Sequence, residues 1–507
     1  MNCLIGIDIG TSATKTILYG DACNIIAEAS REYPMYQPQN GWAEQNPEDW
    51  KRAVLDTVKE VVESSKILPD TVKGIGLSGQ MHGLVMLDEN NQVIRLSIIW
   101  CDQRTGKEAE ELNRKAGKQR LMEITANPAL TGWTAAKILW VKNNEPDNYS
   151  RCRHILLPKD YIRYILTGVF ATEVSDASGT QLLDVPNRCW SEEILEKLQI
   201  QPSLLPKVYE SYEVTGKISS EVSAVTGLST DTAVVGGASD NAAAAIGTGI
   251  VKDGSAFTTI GTSGVLYAHS SKVQIDRLGR VHTCCCAVPG AWHIMGVTQA
   301  AGLSLKWFRD NFCEDYLKKA DETGRDPYEL MNEDIANIPV GSNKLIYLPY
   351  LMGERTPHLD PECRGVFFGL SAMHTRQHFI RAIMEGVAYS LEDCKKVFSD
   401  MGIEVSSMRI CGGGAKSNVW RQIISDVYNC SVNTIKQTEG PALGAAILAG
   451  VGTGLYDSVE SACDKFILSD KWNNPDASAA EQYNRYYSIY NELYKNLKEQ
   501  FKQLAGI

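Results

Sequence analysis

The chain has no surplus of positive charge: its 507 residues carry 50 Lys and Arg against 61 Asp and Glu, a net charge of −11. Proteins that hold nucleic acid present a basic face, so nucleic acid is not expected as a partner. The same deficit means that an anionic ligand must be held locally, by backbone amides or a metal ion, rather than drawn in by the field of the whole protein. No stretch approaches the ~18 uninterrupted apolar residues needed to span a bilayer, and Met1 to Gly10 has no basic region of an export signal. A cytoplasmic location without membrane contact is expected. The 14 cysteines include no Cys-x-x-Cys pair and no His/Cys grouping with zinc spacing. Cys284, Cys285 and Cys286 are adjacent; on a strand they alternate faces and cannot close on one ion, so they read as small buried thiols in a reducing compartment. A Gly-x4-Gly-Lys-Ser/Thr phosphate loop is also missing. What is left is an ordinary globular composition, with 44% hydrophobic and 22% charged residues, in a chain long enough for about two to five domains.

Local patterns then give the organisation. Leu4 to Gly10 and Lys15 to Tyr19 are β-rich runs around a short turn, which predicts a hairpin. Asn46 is placed to cap a helix, with Pro47 in its first turn and Glu48 and Asp49 at its positive end. Trp50, Val54, Val58, Val61 and Val62 follow at helical spacing, so one face is buried. A strand is predicted over Val72 to Leu77, ending at Gly79-Gln80-Met81-His82-Gly83. The Ile9-Gly10-Thr11-Ser12 of the first turn recurs as Ile260-Gly261-Thr262-Ser263, about half the chain away. Each copy leaves one β-like run and enters another. Either this is chance or the chain holds two domains of similar fold. Both halves alternate strands with helices, which implies α/β layers, and the boundary is expected near residues 246 to 256, giving domains of 1–247 and 248–507. Tyr483, Tyr486, Tyr487, Tyr490 and Tyr494 form a helical stripe near the end, read as packing.

Four segments carry possible chemistry. A Gly-Thr-Ser turn exposes N–H groups and hydroxyls that can converge on a phosphate; alternatively it is a plain hairpin turn. Asp8 adjoins the first copy, and a carboxylate beside phosphates needs a cation between them, making Asp8 a candidate Mg²⁺ ligand through water. The run Thr232 to Ala245 reads as a buried strand, a glycine turn and a helix beginning at about Asp240. A carboxylate there lies at the carboxyl end of a strand, where open α/β sheets place their ligands. The helix dipole and free amides are expected to keep it ionised, ready to accept a proton from a hydroxyl; the other reading is a simple helix cap. Cys411-Gly412-Gly413-Gly414-Ala415-Lys416-Ser417-Asn418 stands between a strand and a helix, where glycines admit a flat ring or a phosphate. A second glycine turn, Glu439 to Gly444, is expected to line the same cleft. Finally, Gln80 to Gly83 and Trp100-Cys101-Asp102-Gln103-Arg104 look suited to a polyol: His82 offers one donor and one acceptor, Arg104 several donors, Trp100 a flat wall. Gly79 and Gly83 imply that something approaches closely.

Together these segments resemble the FGGY family of carbohydrate kinases over essentially the whole chain. The resemblance is most specific in Gly132-Trp133-Thr134-Ala135-Ala136-Lys137-Ile138-Leu139-Trp140-Val141 and in Gly365 to Leu370 running through His378-Phe379 to Glu385. Gly353-Glu354-Arg355-Thr356-Pro357, Leu157-Pro158-Lys159-Asp160-Tyr161 and Ser175 to Thr180 also match. Gln80-Met81-His82-Gly83 is similar to the version carried by members acting on D-xylulose; members acting on glycerol carry an Arg-Glu pair there. One departure is Ala238-Ser239 before Asp240, where a glycine is common. The resemblance implies two actin-like ATPase (ribonuclease-H-like) domains around a central cleft, ATP and Mg²⁺ as cofactors, and a small sugar as the partner. It also implies a homodimer paired through the second domain. It assigns Asp240 as proton acceptor, with Gln80, Met81, His82, Trp100, Asp240 and Asn241 around the sugar. Gly10, Thr11, Ser12, Lys15, Gly261, Thr262 and Ser263 fall on the phosphate side, and Gly413, Gly414 and Asn418 on the adenosine side. The implied reaction is ATP-dependent phosphorylation of D-xylulose. Alternatives are phosphorylation of ribulose, gluconate or another polyol, or an actin- or chaperone-like ATPase that binds without transferring phosphate to a sugar.

Overall fold

The computed structural model describes residues 2–436 and 439–507. The first half opens with β1 (Cys3–Ile9), a tight turn and β2 (Ala13–Gly20), with β3 (Ile25–Glu32) continuing the antiparallel order. Helix α1 (Pro47–Ser65) starts where expected: the Asn46 side chain accepts a hydrogen bond from the Glu48 amide, and Trp50, Val54, Val58 and Val61 are buried. It leads into β4 (Val72–Gly79), two residues longer than the sequence pattern indicates and parallel to β1. The helices α2 (Thr134–Asn144), α3 (Pro158–Thr167) and α4 (Val174–Ser178) precede the last strands, β5 (Val214–Lys217), β6 (Ala233–Val235) and β7 (Ala238–Ser239). The sheet order is β5-β6-β4-β1-β2-β3, with β7 also on β4. Helix α5 (Asp240–Gly247) closes the half.

The second half repeats the scheme. β8 (Ser255–Ile260) and β9 (Gly264–Ser270) form a hairpin, extended by β10 (His282–Cys285) and β11 (Trp292–Thr298). Helices α6 (Gly302–Phe312) and α7 (Arg376–Asp400) lead to β12 (Ser407–Cys411), which lies parallel to β8 as β4 does to β1. Then come α8 (Asn418–Tyr428), β13 (Val432–Ile435), α9 (Gly440–Gly452), β14 (Ser469–Asn473) and α10 (Ala477–Ala505). The sheet order is β10-β11-β9-β8-β12-β13-β14. In both sheets a central strand has its hairpin partner on one side and a parallel neighbour on the other, so the repeated Ile-Gly-Thr-Ser occupies equivalent turns of two similarly built α/β domains.

The segment expected to form a second glycine turn is instead the start of α9, with Pro441 in its first turn. Its small residues serve packing. A Cβ on Gly444 would overlap the Ala243 carbonyl of α5, and Cβ atoms on Gly6 of β1 and Gly76 of β4 would overlap the carbonyls of Ala442 and Ala445. Helix α9 therefore lies directly on the backbone of the first sheet and against α5, and Leu4, Ile17, Ala242, Ala243, Leu443 and Ala446 share one core.

The tyrosine stripe of α10 is packing, as expected, but polar packing. Tyr483 donates to Glu385 at 2.9 Å, Tyr487 to Asp393 at 2.5 Å and Tyr494 to Asp360 at 2.9 Å. Cys284, Cys285 and Cys286 are all buried, and burial pushes the Cys285 thiol up to about 11, which leaves it unreactive. Among the described residues, no helix is long and apolar enough to cross a membrane.

The contact between α9 and the sheet tolerates no added atom. Gly76→Ala is expected to cost about 3 kcal/mol through overpacking and to lower Tm by at least ~5 °C. Gly106→Ala, where a Cβ meets nothing within 4 Å, serves as the control with Tm unchanged in the same thermal melt.

Candidate active site

Two carboxylates stand at the carboxyl ends of strands that flank β4 in the first sheet. Asp8 pairs in register with Ser78 on β4, and the next residue, Gly79, pairs with Ser239 of β7, so Asp240 follows one strand beyond. Two strand spacings put the two groups roughly 10 Å apart. The Ser78 hydroxyl donates to Asp8 Oδ1 at 2.9 Å, while burial raises the Asp8 carboxyl above its ordinary range. Asp240 begins α5. Its Oδ1 accepts from the Asn241 amide at 2.7 Å and from Asn241 Nδ2 at 3.0 Å, and no hydrogen bond from a described residue reaches Oδ2. These donors favour the anion, but loss of solvent outweighs them, and with the Asp8 charge it pushes the Asp240 carboxyl up to about 7. The expectation that the helix terminus alone keeps this group firmly ionised is thus corrected: desolvation is the larger effect. A group titrating near neutrality is matched to proton transfer at that pH.

The two Gly-Thr-Ser turns are held from behind by their carbonyls. Tyr33 Oη donates to the Gly10 carbonyl at 2.5 Å and Gln45 Nε2 to that of Thr11 at 2.6 Å; the Tyr33 amide takes the Ser12 carbonyl. In the second turn the amide of Gly302, at the start of α6, bonds the Gly261 carbonyl at 2.8 Å, and those of Ala301 and Leu303 bond the Thr262 carbonyl. With the carbonyls so fixed, the amides of Thr11, Ser12, Thr262 and Ser263 meet no acceptor among the described residues. Free N–H groups in a turn are anion donors. A cavity of about 420 Å³ joins the second turn, through Gly261 and Thr262, to Gly413 and Gly414, with Gly302, Lys306, Tyr328 and Asn332 in its wall. The sequence reading did not include those last four; the small residues Ala300, Ala301 and Gly302 before a helix were the available signal. Asn418 does not line this cavity, and its Oδ1 accepts from Arg421 and Asn473. Lys15 bridges the halves, with its ammonium 3.1 Å from Glu28 and 2.9 Å from Glu439.

Beside the first turn, distant segments meet around His82. The His82 Nδ1 donates to the Gly179 carbonyl at 2.7 Å. Burial lowers the imidazole to about 3, so it is neutral and its Nε2 is an acceptor. Its ring stacks on Trp133 at 4.5 Å between centroids, and Trp133 in turn lies 5.5 Å from His282 of the second half. Trp133 and His282 were given no site role from sequence, though Trp133 lies inside the most specific motif. Met81 is buried beneath. Trp100 is 44% exposed and its Nε1 donates to the Thr11 hydroxyl at 2.9 Å, linking this region to the phosphate-type turn. Gln80 faces inward: its Nε2 donates to Gln45 at 2.8 Å, and its Oε1 is buried with no partner among the described residues. Arg104, expected to donate to a polyol, does not reach the site; it is paired with Glu44 and Asp102 and lies 3.6 Å over the Trp42 ring. The close approach implied by Gly83 is that of Pro158, which a Cβ there would strike. Among the described residues, no group of three or more His, Cys, Asp or Glu side chains is arranged to hold a metal ion.

Residues 3–247 match the model of the N-terminal domain, and residues 256–453 that of the C-terminal domain, of the FGGY family of carbohydrate kinases. The chain is 40% identical to the xylulose kinase of Bacillus subtilis, covering 98% of each chain. It is 39% identical to the xylulose kinase of Lactococcus lactis, covering 100% of this chain and 99% of that one. Among solved structures, ligand-bound xylulose kinase from Lactobacillus acidophilus superposes with a TM-score of 0.92 at 27% identity, over 99% of this chain and 100% of the other. The paired sheets are those of the actin-like ATPase fold. With this architecture, two outward-facing amide turns and a near-neutral carboxyl at the strand ends, the chain belongs to the FGGY family of carbohydrate kinases.

Proposed function

We propose that this protein transfers the γ-phosphoryl group of ATP to the C5 hydroxyl of D-xylulose, giving D-xylulose 5-phosphate and ADP. Full-length likeness to xylulose kinases supports the substrate. The single observation that carries the chemistry is the Asp240 carboxyl at a strand end, with one oxygen held by Asn241 and the other uncommitted among the described residues. Residues 1–247 hold the sugar, the first turn and the base; residues 248–507 hold the second turn and the adenosine side.

The sugar sits against Met81, His82, Trp100 and Asn241, with His82 Nε2 accepting from a hydroxyl. Asp240 takes the proton of the attacking hydroxyl as its oxygen bonds to phosphorus, and the bond from phosphorus to the ADP oxygen breaks. Amides of Thr11, Ser12, Thr262 and Ser263, with Gly10, Gly261 and Lys15 at the turns, orient the phosphates. Gly413 leaves space beside the nucleoside and Gly414 lines the same cavity, while Asn418 lies outside its wall. The Asp8 carboxylate, which accepts from the Ser78 hydroxyl, suits Mg²⁺ and would hold it through water. Bound there, the ion neutralises phosphate charge. The rate comes from positioning and charge stabilisation.

A coupled ADP-release assay with D-xylulose, D-ribulose, L-ribulose, gluconate and glycerol tests the substrate. D-xylulose should give the highest kcat/KM by at least about tenfold; a better result with any other compound replaces it. Asp240→Asn should lower turnover by ~10²–10⁴-fold while leaving nucleotide affinity within about twofold.

The raised carboxyl has a sign that can be checked twice. Asp240 acts as a base only when ionised, so kcat/KM for the sugar should fall about tenfold per pH unit below roughly pH 6.5 and level off above roughly pH 7.5. A flat profile between pH 5.5 and 8 would remove Asp240 from the role. The folded protein also binds this proton more tightly than the unfolded chain, so ionisation destabilises the fold as pH rises through about 7. Asp240→Asn should therefore raise Tm at pH 8 by roughly 2 °C or more even as activity is lost.

A further inference from the structure

The motif Gly132 to Val141 contains Lys137, which the proposed reaction does not use. Lys137 is fully buried in α2, and among the described residues it forms no ion pair. Taking an ammonium out of water without a carboxylate partner is costly. The site also leaves its mark on the group itself, since burial lowers the ammonium to about 7, against the weaker pull of Asp102. Apolar side chains of similar length fill such positions more cheaply, so the charge calls for a local explanation.

Its hydrogen-bond partner supplies one. Lys137 Nζ donates to the backbone carbonyl of His82 at 2.8 Å, and the Thr134 hydroxyl, one turn earlier on α2, donates to the same oxygen at 3.1 Å. His82 has φ of 67°, and the Gly83 amide bonds back to the Met81 carbonyl at 2.9 Å. A bond from residue i+2 to residue i around a central residue with positive φ is the rare, strained form of the γ-turn. A non-glycine residue holds such a conformation only when its surroundings over-determine it, and such strain collects at functional sites. Here the surroundings are explicit. The His82 carbonyl is gripped by two buried donors, its Nδ1 is bound to Gly179, and its ring is stacked on Trp133. Among the described residues Nε2 meets no protein partner, and it is the one polar side-chain atom of His82 left so.

We propose that Lys137 and Thr134 are positioning residues that clamp the His82 carbonyl, holding the strained turn so that His82 Nε2 is presented to the sugar. The clamp rests on the reading that His82 contacts the sugar. It acts on sugar binding alone, because neither donor touches the turns or the cavity on the nucleotide side.

The test uses the full-length protein, with Lys137→Met and Thr134→Val made separately. Steady-state kinetics are measured with each substrate varied, and D-xylulose binding without ATP is followed by tryptophan fluorescence. Lys137→Met is expected to raise the KM and Kd for the sugar at least tenfold, and Thr134→Val about threefold or more. The KM for ATP should stay within twofold, and the Tm of Lys137→Met should not fall, since an apolar side chain replaces a buried charge. A merely structural role gives the opposite pattern, with lower Tm and both KM values moving together, and overturns the clamp. Sugar constants within twofold of the parent overturn it as well. If Lys137→Met does not fold, Thr134→Val decides by the same criteria. Should the parent enzyme phosphorylate another sugar instead, the substrate assignment falls while the clamp is judged on that sugar.

Discussion

Backbone-to-backbone contact between α9 and the first sheet is the constraint on which the rest depends. Gly6 and Gly76 leave no side chain between β1, β4 and the helix, and Gly444 does the same between α9 and α5. The approach sets β1 and β4 directly beside α9, the helix that follows β13 in the second half. The core that joins Ile5 and Ile7 to Val54 and Val58, and the core that joins Leu4 and Ile17 to Leu443, then lie on opposite faces of one sheet, with α1 on one side and α9 on the other. Both Gly-Thr-Ser turns sit at corresponding places in the two sheets because the central strands correspond, β1, β2 and β4 in the first with β8, β9 and β12 in the second.

Within that frame the site is arranged by withdrawal of water and by fixing carbonyls. Each turn has its carbonyl oxygens satisfied by groups behind it, so the amides are the unsatisfied side. Asp240 and Asp8 are both desolvated, and each holds its proton more tightly for it. Lys137 is the counterpart on the cationic side, a buried charge whose proton is loosened. In all three the displacement has the same first cause, loss of solvent.

What was legible in the sequence was local. The hairpins, the capped α1, the start of α5 at Asp240 and the strand–glycine–helix passage at Gly413 each depend on a few adjacent residues, and each is found where the pattern puts it. The duplication was visible only as four repeated residues; the matching strand orders supply the rest. Properties set by distant partners were not legible. Arg104 looks like a ligand group until Glu44, sixty residues earlier in the chain, is seen beside it. The ionisation of Asp240 reverses because burial, which no motif encodes, exceeds the helix-terminal effect. Trp133 and His282 meet only when the halves are assembled, and Glu439 to Gly444 reads as a loop because glycines used for tight packing resemble glycines used for turning.

The position of α9 also bears on how the molecule is made. The face of the first sheet that carries Gly6 and Gly76 is covered by residues 440–452, so a nascent chain that has completed α5 at Gly247 still lacks the helix that covers it. At ~5–20 residues per second, that surface waits on the ribosome for roughly 10–40 s. The amino-terminal half is thus translated early but finished late, and during that interval it is an open sheet face of the kind that chaperones shield.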